Sequence, residues 1–298
     1  MNINLGNFIV DKYSRPYIIA EIGVNHEGCF DKAKSLIDLA KKGGANCAKF
    51  QSYKADTLAS KDSPAYWDLK QESTTSQHAL FEKYDNFSAK QYVELSRYCK
   101  SIGIEFLSTP FDDNSIDFLE SLMPFYKIAS ADITNLPFLR KIAGKNKPIV
   151  LSTGASSLKE IDHALKILHK EGCNDIALLH CILNYPTDDK NANLSMISSL
   201  RESYPEYVIG YSDHTMPDEN MTPLVTAYLL GSKILEKHFT DDKSLPGNDH
   251  YHSMDVDDLI NLNYIIDKIV SLKGVSEVKS PIETENISRR NARRSVVA

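Results

Sequence analysis

Short apolar runs alternate along this chain with longer segments whose apolar residues recur at helical spacing, and the pair repeats eight times. The runs at residues 17–22, 46–51, 104–108, 125–129, 148–152, 175–180, 207–211 and 233–238 predict strands. Amphipathic segments at 31–42, 89–101, 158–170, 218–230 and 256–272 predict helices between and after them. Eight such units predict an α/β fold of the closed (β/α)8 type, a TIM barrel, over an open doubly wound sheet, which commonly has fewer strands. Residues 1–13 predict a short strand pair turning at Gly6-Asn7 and capping the barrel bottom. The stretch 53–87, with Ser63-Pro64 and Ser73-Thr74-Thr75-Ser76, is far longer than an ordinary βα loop and predicts a substrate lid after the second barrel strand.

The barrel domain is expected to span 1–274, with 275–298 as a linker or tail. After Ser280-Pro281 the tail carries Arg289, Arg290, Arg293 and Arg294, then Ser295-Val296-Val297-Ala298, which has the pattern of a strand beginning. With 298 residues, 42% hydrophobic and 25% charged, the chain has the composition of an ordinary soluble protein able to bury a large core. A formal net charge of −6 gives no general attraction to nucleic acid or to an anionic membrane, so any anionic ligand needs local positive charge. The arginine cluster stands alone in an acidic chain without a nucleic-acid reader motif. The five cysteines lack CxxC spacing and fit reduced thiols. Neither a signal peptide nor a membrane-span pattern occurs, and the expected location is the cytoplasm.

Nearly every predicted strand ends in polar, chemically competent residues. Lys49 and Gln51 share one face of their strand because side chains two apart point the same way. A lysine among apolar residues needs an anionic partner, and Lys127 repeats the pattern, so two lysines near one barrel end predict an anion site. The segment Leu151-Ser152-Thr153-Gly154-Ala155-Ser156-Ser157 ends a strand and opens a helix, where hydroxyls, Ser130 nearby and helix-start N–H groups predict phosphate contacts. Glu21 closes an apolar strand, where desolvation would raise its pKa and fit it for proton transfer, while pairing with Lys49 is its structural role.

His214 and His238 end consecutive strands and predict a metal pair. Two imidazoles leave positions for water or substrate oxygens, which favours an exchangeable Mn²⁺, Mg²⁺ or Co²⁺ over structural zinc. Of the other histidines, His26 and His180 are candidates to line the cavity, while His78, His163 and His169 have the pattern of loop or helix-surface residues. His250 and His252 lie in the loop after the last strand, beside Asp249, which is placed to meet a polyol.

Taken in order, Ala20-Glu21-Ile22-Gly23-Val24-Asn25-His26-Glu27-Gly28, Lys49-Phe50-Gln51, Ser108-Thr109-Pro110-Phe111, Lys127-Ile128-Ala129-Ser130, Leu151-Ser152-Thr153-Gly154, Tyr185-Pro186-Thr187, Tyr211-Ser212-Asp213-His214-Thr215 and Glu236-Lys237-His238-Phe239-Thr240 resemble the N-acetylneuraminate (sialic acid) synthase family. The resemblance implies a TIM-barrel transferase, a homodimer, that condenses phosphoenolpyruvate with an N-acylated amino sugar to a nine-carbon 2-keto-3-deoxy acid. The acceptor would be N-acetylmannosamine or a diacetamido-trideoxyhexose. It further implies that Lys49, Thr109, Lys127, Ser130, Ser152 and Ser212 bind phosphoenolpyruvate, that Gln51, Asp132, Tyr185 and Asp249 face the sugar, and that His214 and His238 hold Mn²⁺. Glu21, Lys49 and Lys127 would carry the catalysis. Leu183 stands where the family often has asparagine, and Asp132 where glutamate is common, so the acceptor is open to change. Members usually continue into a small antifreeze-like domain, which does not follow here. Two alternatives remain: a related synthase acting on another sugar or sugar phosphate, and a barrel that binds these ligands without turnover.

Overall fold

The computed structural model describes residues 2–67, 69–85, 87–247, 249–274 and 278–295. A two-stranded antiparallel hairpin, β1 (Asn2–Leu5) and β2 (Phe8–Asp11), precedes eight parallel strands. These are β3 (Tyr17–Gly23), β4 (Cys47–Ser52), β5 (Glu105–Pro110), β6 (Tyr126–Ile128), β7 (Ile149–Ser152), β8 (Ile176–His180), β9 (Val208–Asp213) and β10 (Ile234–His238). Their order is β5-β4-β3-β10-β9-β8-β7-β6, and the outermost two, β5 and β6, pack against each other to complete a barrel. Every predicted strand is present, with ends shifted by no more than two residues.

The helices are α1 (Phe30–Gly43), α2 (Ala55–Leu58), α3 (Gln77–Tyr84), α4 (Ala89–Ile102), α5 (Asp113–Leu119), α6 (Leu136–Ala143), α7 (Leu158–Lys170), α8 (Ser195–Ser203), α9 (Thr222–Leu229), α10 (Val256–Lys273) and, in the tail, α11 (Asn286–Asn291). Local chemistry explains their limits. Ser157 and Glu160 form a reciprocal capping box at the start of α7, whose buried Ile161, Ala164, Leu165 and Leu168 lie on one face at helical spacing. Gly44 ends α1 with φ 89°, the left-handed conformation that glycine adopts without Cβ strain. The predicted helix at 218–230 begins four residues late, at Thr222. The Asp218 carboxylate accepts N–H bonds from Asn220 and Thr222, making a turn, and Pro223 then sits in the first helical turn.

The hairpin closes the N-terminal end of the barrel, as its sequence predicts. Ile3, Leu5 and Val10 are buried, Phe8 meets Tyr17 edge-on with ring centroids 5.5 Å apart, and Gly6 sits against Glu105 and Pro124, all near strand starts. The long insertion is structured rather than a bare loop: it contains α2 and α3, joined by the isolated bridge Pro64↔Ser76. His78 is a correction to the surface assignment, since it is buried on α3 with its Nε2 2.8 Å from the Asp56 carboxylate. In the tail, α11 is exposed, and the expected strand beginning at 296–298 lies outside the described residues. Among the described residues, no helix is long and apolar enough to cross a membrane.

Candidate active site

Parallel strands end together, so whatever they carry at their C-terminal tips converges at one mouth. A cavity of about 460 Å³ opens there, and all thirteen predicted site residues line it: Glu21, Lys49, Gln51, Thr109, Lys127, Ser130, Asp132, Ser152, Tyr185, Ser212, His214, His238 and Asp249. The larger groove of about 910 Å³ at the opposite end, between the hairpin and α4, is lined by none of them.

Strand register explains the convergence. Glu21 pairs laterally with Lys49 on β4 and with His238 on β10, and Glu236 with Ser212 on β9. Period-two alternation sends Ser212, Glu236 and His238 inward, whereas Asp213 and Lys237 between them are absent from the cavity lining. Asp213 and Lys237 instead form a fully buried pair, Nζ to Oδ2 2.7 Å, that also engages Thr215. A register shift between Glu21 and Gly23 ends β3, and Gly23 adopts φ 54°. A side chain there would be strained and would press on Gln51 Nε2 and Glu21 Oε1, each 3.2 Å from the added Cβ.

At the cavity floor, Lys49 and Lys127 share one carboxylate. Glu236 lies 3.7 Å from Lys49 Nζ and 3.6 Å from Lys127 Nζ and accepts from Ser212 Oγ at 2.9 Å. Lys49 also ion-pairs with Glu21 and donates to Thr109 Oγ1 at 3.2 Å, while Lys127 donates to Ser152 Oγ at 2.7 Å. Gln51 donates to the other Glu21 oxygen at 2.9 Å. Burial pushes the Glu21 carboxyl up, more than Lys49 can offset. Burial acts the same way on Glu236, but Lys127, Lys49 and the Ser212 hydroxyl outweigh it and hold that carboxyl down to about 2. Burial lowers Lys127; it also acts to lower Lys49, but the two carboxylates there prevail and raise it. The structural role foreseen for Glu21, pairing with Lys49, is present, and burial raises its carboxyl as its place at the end of an apolar strand predicts.

At the helix start expected to offer free N–H groups to phosphate, some of those groups are already taken. Helix α7 begins at Leu158, its Glu160 N–H is taken by Ser157, and the Gly154 N–H is given to Ser130 Oγ at 2.9 Å. Hydroxyls and lysines, rather than these N–H groups, face the cavity. Ser130 Oγ also meets Cys181 Sγ at 3.0 Å, which leaves no room for a Cβ on Gly154.

On the adjoining wall, His214 Nδ1–H donates to the Ile182 carbonyl at 2.6 Å, which fixes the tautomer and leaves Nε2 as the available lone pair. Burial, aided by His238, lowers its pKa to about 4, so it stays neutral. Burial acts to lower His238 as well, but the Asp249 carboxylate, 3.4 Å from Nδ1, raises it. The loop after β10 folds back to hold Asp249 there: Phe239 bridges Met254, Asn25 Nδ2 donates to the Phe239 carbonyl and to Ser253 Oγ, and Ser253 donates to the Asp249 carbonyl. Tyr185 lies over His214, ring centroids 4.1 Å apart. Imidazole nitrogens and a carboxylate, with buried His238 Nδ1 lacking a hydrogen-bond partner, are a donor set that fits a divalent first-row cation.

His26 and His180 do not line the cavity. His26 stacks on Phe87 at 4.3 Å and accepts from the Gly28 N–H, while His180 stacks on Tyr211 and binds the Ala192 carbonyl. The sequence reasoning left Glu236 without a role, although its position two before His238 on one strand places both on the same face. It also missed the aromatic wall that the insertion and β5 tip supply, Tyr53, Tyr66, Phe81 and Phe111.

The family model described as NeuB matches residues 36–277. The N,N'-diacetyllegionaminic acid synthase of Campylobacter jejuni is 40% identical over 94% of this chain and 84% of that protein. The N-acetylneuraminate-9-phosphate synthase of Drosophila melanogaster is 40% identical over 82% of this chain and 65% of its own length. Among solved structures, the N-acetylneuraminic acid synthetase of Leptospira borgpetersenii, crystallised with citrate, superposes with a TM-score of 0.84 at 32% identity, covering 98% of this chain and 97% of that one.

Proposed function

Because this chain belongs to the NeuB family, we propose that it is a phosphoenolpyruvate-condensing synthase of nonulosonic acids, acting on an unphosphorylated N-acylated amino sugar. The observation that carries the reading is the pair of buried lysines sharing Glu236 at the cavity floor, ringed by Thr109, Ser130, Ser152 and Ser212. Such a floor suits a small, multiply charged anion and makes little sense as a merely structural ion cluster at a barrel mouth.

The acceptor end differs. Among the described lining residues, Lys49 and Lys127 are the only lysines or arginines, and both lie at the floor. The outer wall presents Tyr53, Leu58, Tyr66, Phe81, Phe111 and Leu183 together with Asp132, so a sugar phosphate would find no cation there. An apolar sugar terminus suits this wall, which favours a diacetamido-trideoxyhexose.

His214 and His238 would hold Mn²⁺ or a similar ion, whose chemistry is to polarise the open-chain aldehyde. The residues supply the rest. Lys49, Lys127 and the hydroxyls fix phosphoenolpyruvate so that its C3 faces the aldehyde carbon. Glu21, whose carboxyl burial already pushes up, takes up a proton as the trianion binds and gives it to the aldehyde oxygen as the C–C bond forms and C2 becomes electron-poor. As a carboxylate it then accepts a proton from the water adding at C2, and the tetrahedral adduct expels phosphate with C–O cleavage, the C2 hydroxyl proton passing to the departing phosphate as the keto group forms. Carbon, oxygen and charge balance as one phosphoenolpyruvate, one aldehyde and one water giving one keto acid and one phosphate.

Incubation with phosphoenolpyruvate, Mn²⁺ and each of N-acetylmannosamine, its phosphorylated form and a diacetamido-trideoxyhexose tests this. Phosphate release and a nine-carbon keto acid by mass spectrometry are expected from an unphosphorylated acceptor. Product from the phosphorylated sugar alone would overturn the acceptor assignment, and release with no acceptor would overturn the reaction.

A further inference from the structure

The groove of about 910 Å³ at the N-terminal end of the barrel takes no part in the reaction above. It opens between the hairpin turn and α4, and Glu105 and Tyr17, at the starts of β5 and β3, line it. Both side chains point into the lower barrel, because Glu105 lies four residues before Thr109 and Tyr17 four before Glu21 on strands of period two. Among the described residues, the half-buried Glu105 carboxylate has neither an ion pair nor a hydrogen bond, and burial pushes it up with no partner to offset the shift. The hairpin is shaped around it, since Gly6 has no room for a Cβ against Glu105 Oε2. Tyr17 is 1% exposed, and its hydroxyl lacks a hydrogen-bond partner. Burial, then the Cys47 thiol and the Glu105 carboxylate, raise that hydroxyl's pKa, and a thiol is a weak partner at best. A carboxylate and a phenol left unsatisfied in one recess mark a place for a group that comes from outside.

The same groove carries positive charge at its rim. Arg97 and Lys100, three apart on one face of α4, are exposed there and form no ion pair among the described residues. Lys41, at the end of α1, lines the groove as well but donates to the Gly103 carbonyl. None of these cations pairs with Glu105, so the groove holds its negative and positive ends apart, with Phe8, Val93, Leu122 and Pro124 as apolar wall. We propose that this groove is a second ligand site, for a small amphoteric molecule whose ammonium or amino group meets Glu105 and Tyr17 and whose carboxylate or phosphate meets Arg97 and Lys100. An amine without an anionic group would gain nothing from the rim, and an anion without an amine would meet Glu105. A free amino acid and a nucleotide with an amino base share the required chemistry. The site lies at the opposite end of the barrel from the reacting groups and stands independently of the reaction and metal readings.

Calorimetric titration of the full chain with lysine, phenylalanine and the common ribonucleoside 5′-monophosphates tests this, with putrescine and inorganic phosphate as the amine and the anion alone. At least one amphoteric probe is expected to bind, and the amino acid and nucleotide arms identify the source. Glu105→Gln, and Arg97→Ser combined with Lys100→Ser, should each weaken that probe by at least about tenfold, the equivalent of a hydrogen bond to a charged group. Hydrogen exchange should slow at residues 5–8 and 97–106 and not at the barrel mouth. Without ligand, Glu105→Gln should be at least as stable in urea as wild type, because it removes an unpaired charge. A less stable Glu105→Gln would mean that the carboxylate is already satisfied within the fold, and overturns the proposal. So does unchanged affinity in the folded α4 double variant, protection at the mouth instead of the groove, or no binding by any probe at millimolar concentration. Phosphate, putrescine or uridine monophosphate, which lacks an amino group, binding as tightly as the amphoteric probes also overturns it.

Discussion

Replacing Glu236 by glutamine removes a single negative charge and keeps the shape of the side chain and a partner for Ser212. The carboxylate lies 3.6 Å from Lys127 Nζ and 3.7 Å from Lys49 Nζ, and at an effective dielectric of about 20 each attraction amounts to about 4.5 kcal/mol. Desolvating a carboxylate offsets several kcal/mol of that sum, so removing one partner of such a cluster should destabilise the fold by about 3–5 kcal/mol. The titration behaviour gives a compatible figure, because holding the carboxyl down to about 2 from an ordinary 4.5 corresponds to roughly 3 kcal/mol. The sign follows from a depressed carboxyl. Its contribution is fully present above the ordinary glutamate range and is lost as the pH falls towards about 2, so the deficit of the variant should shrink in acid. Urea unfolding of wild type and Glu236→Gln in phosphate-free buffer measures this at neutral pH and again in acid. Added phosphate should restore more stability to the variant, whose lysines have lost a counter-charge. A loss of less than about 1 kcal/mol, constant with pH, would refute Glu236 as the shared counter-ion.

Binding of phosphoenolpyruvate or phosphate near neutral pH should take up protons, since an arriving anion pushes the already raised Glu21 carboxyl further up; calorimetry in buffers of different ionisation enthalpy reads the uptake, which Glu21→Gln should abolish. Gly154→Ala would place a Cβ 2.7 Å from Cys181 Sγ and 2.8 Å from Ser130 Oγ, and by displacing Ser130 it should raise KM for phosphoenolpyruvate about tenfold, the equivalent of one hydrogen bond. Lys237→Met strands Asp213 in the barrel wall and should cost about 3–5 kcal/mol in urea unfolding while leaving that KM unchanged, because the pair lies outside the cavity.

The barrel was legible because strands buried on both faces must be apolar throughout, and turn residues punctuate them at each end. Lys49, Lys127 and Ser152 were legible for the same reason: a polar side chain closing such a run has nowhere to go but the mouth. Glu236 escaped because it lies inside the β10 run, overshadowed by the histidine that ends it. His26 and His180 misled because their ring partners, Phe87 and Tyr211, lie elsewhere along the chain and only tertiary packing brings them together. The helix start after β7 differs from expectation for a local reason, since the Thr153, Gly154 and Ser157 N–H groups are given to Leu179, Ser130 and Glu160 before the helix begins.

The central claim is that this cavity joins phosphoenolpyruvate to an amino sugar with C–O rather than P–O cleavage. Phosphoenolpyruvate labelled with heavy oxygen in its C2–O–P bridge tests it most directly, with an unphosphorylated N-acylated amino sugar and Mn²⁺ present. The account predicts that the label leaves in inorganic phosphate as a nine-carbon keto acid forms. Label retained in the keto acid, or phosphate released without the sugar, would contradict it.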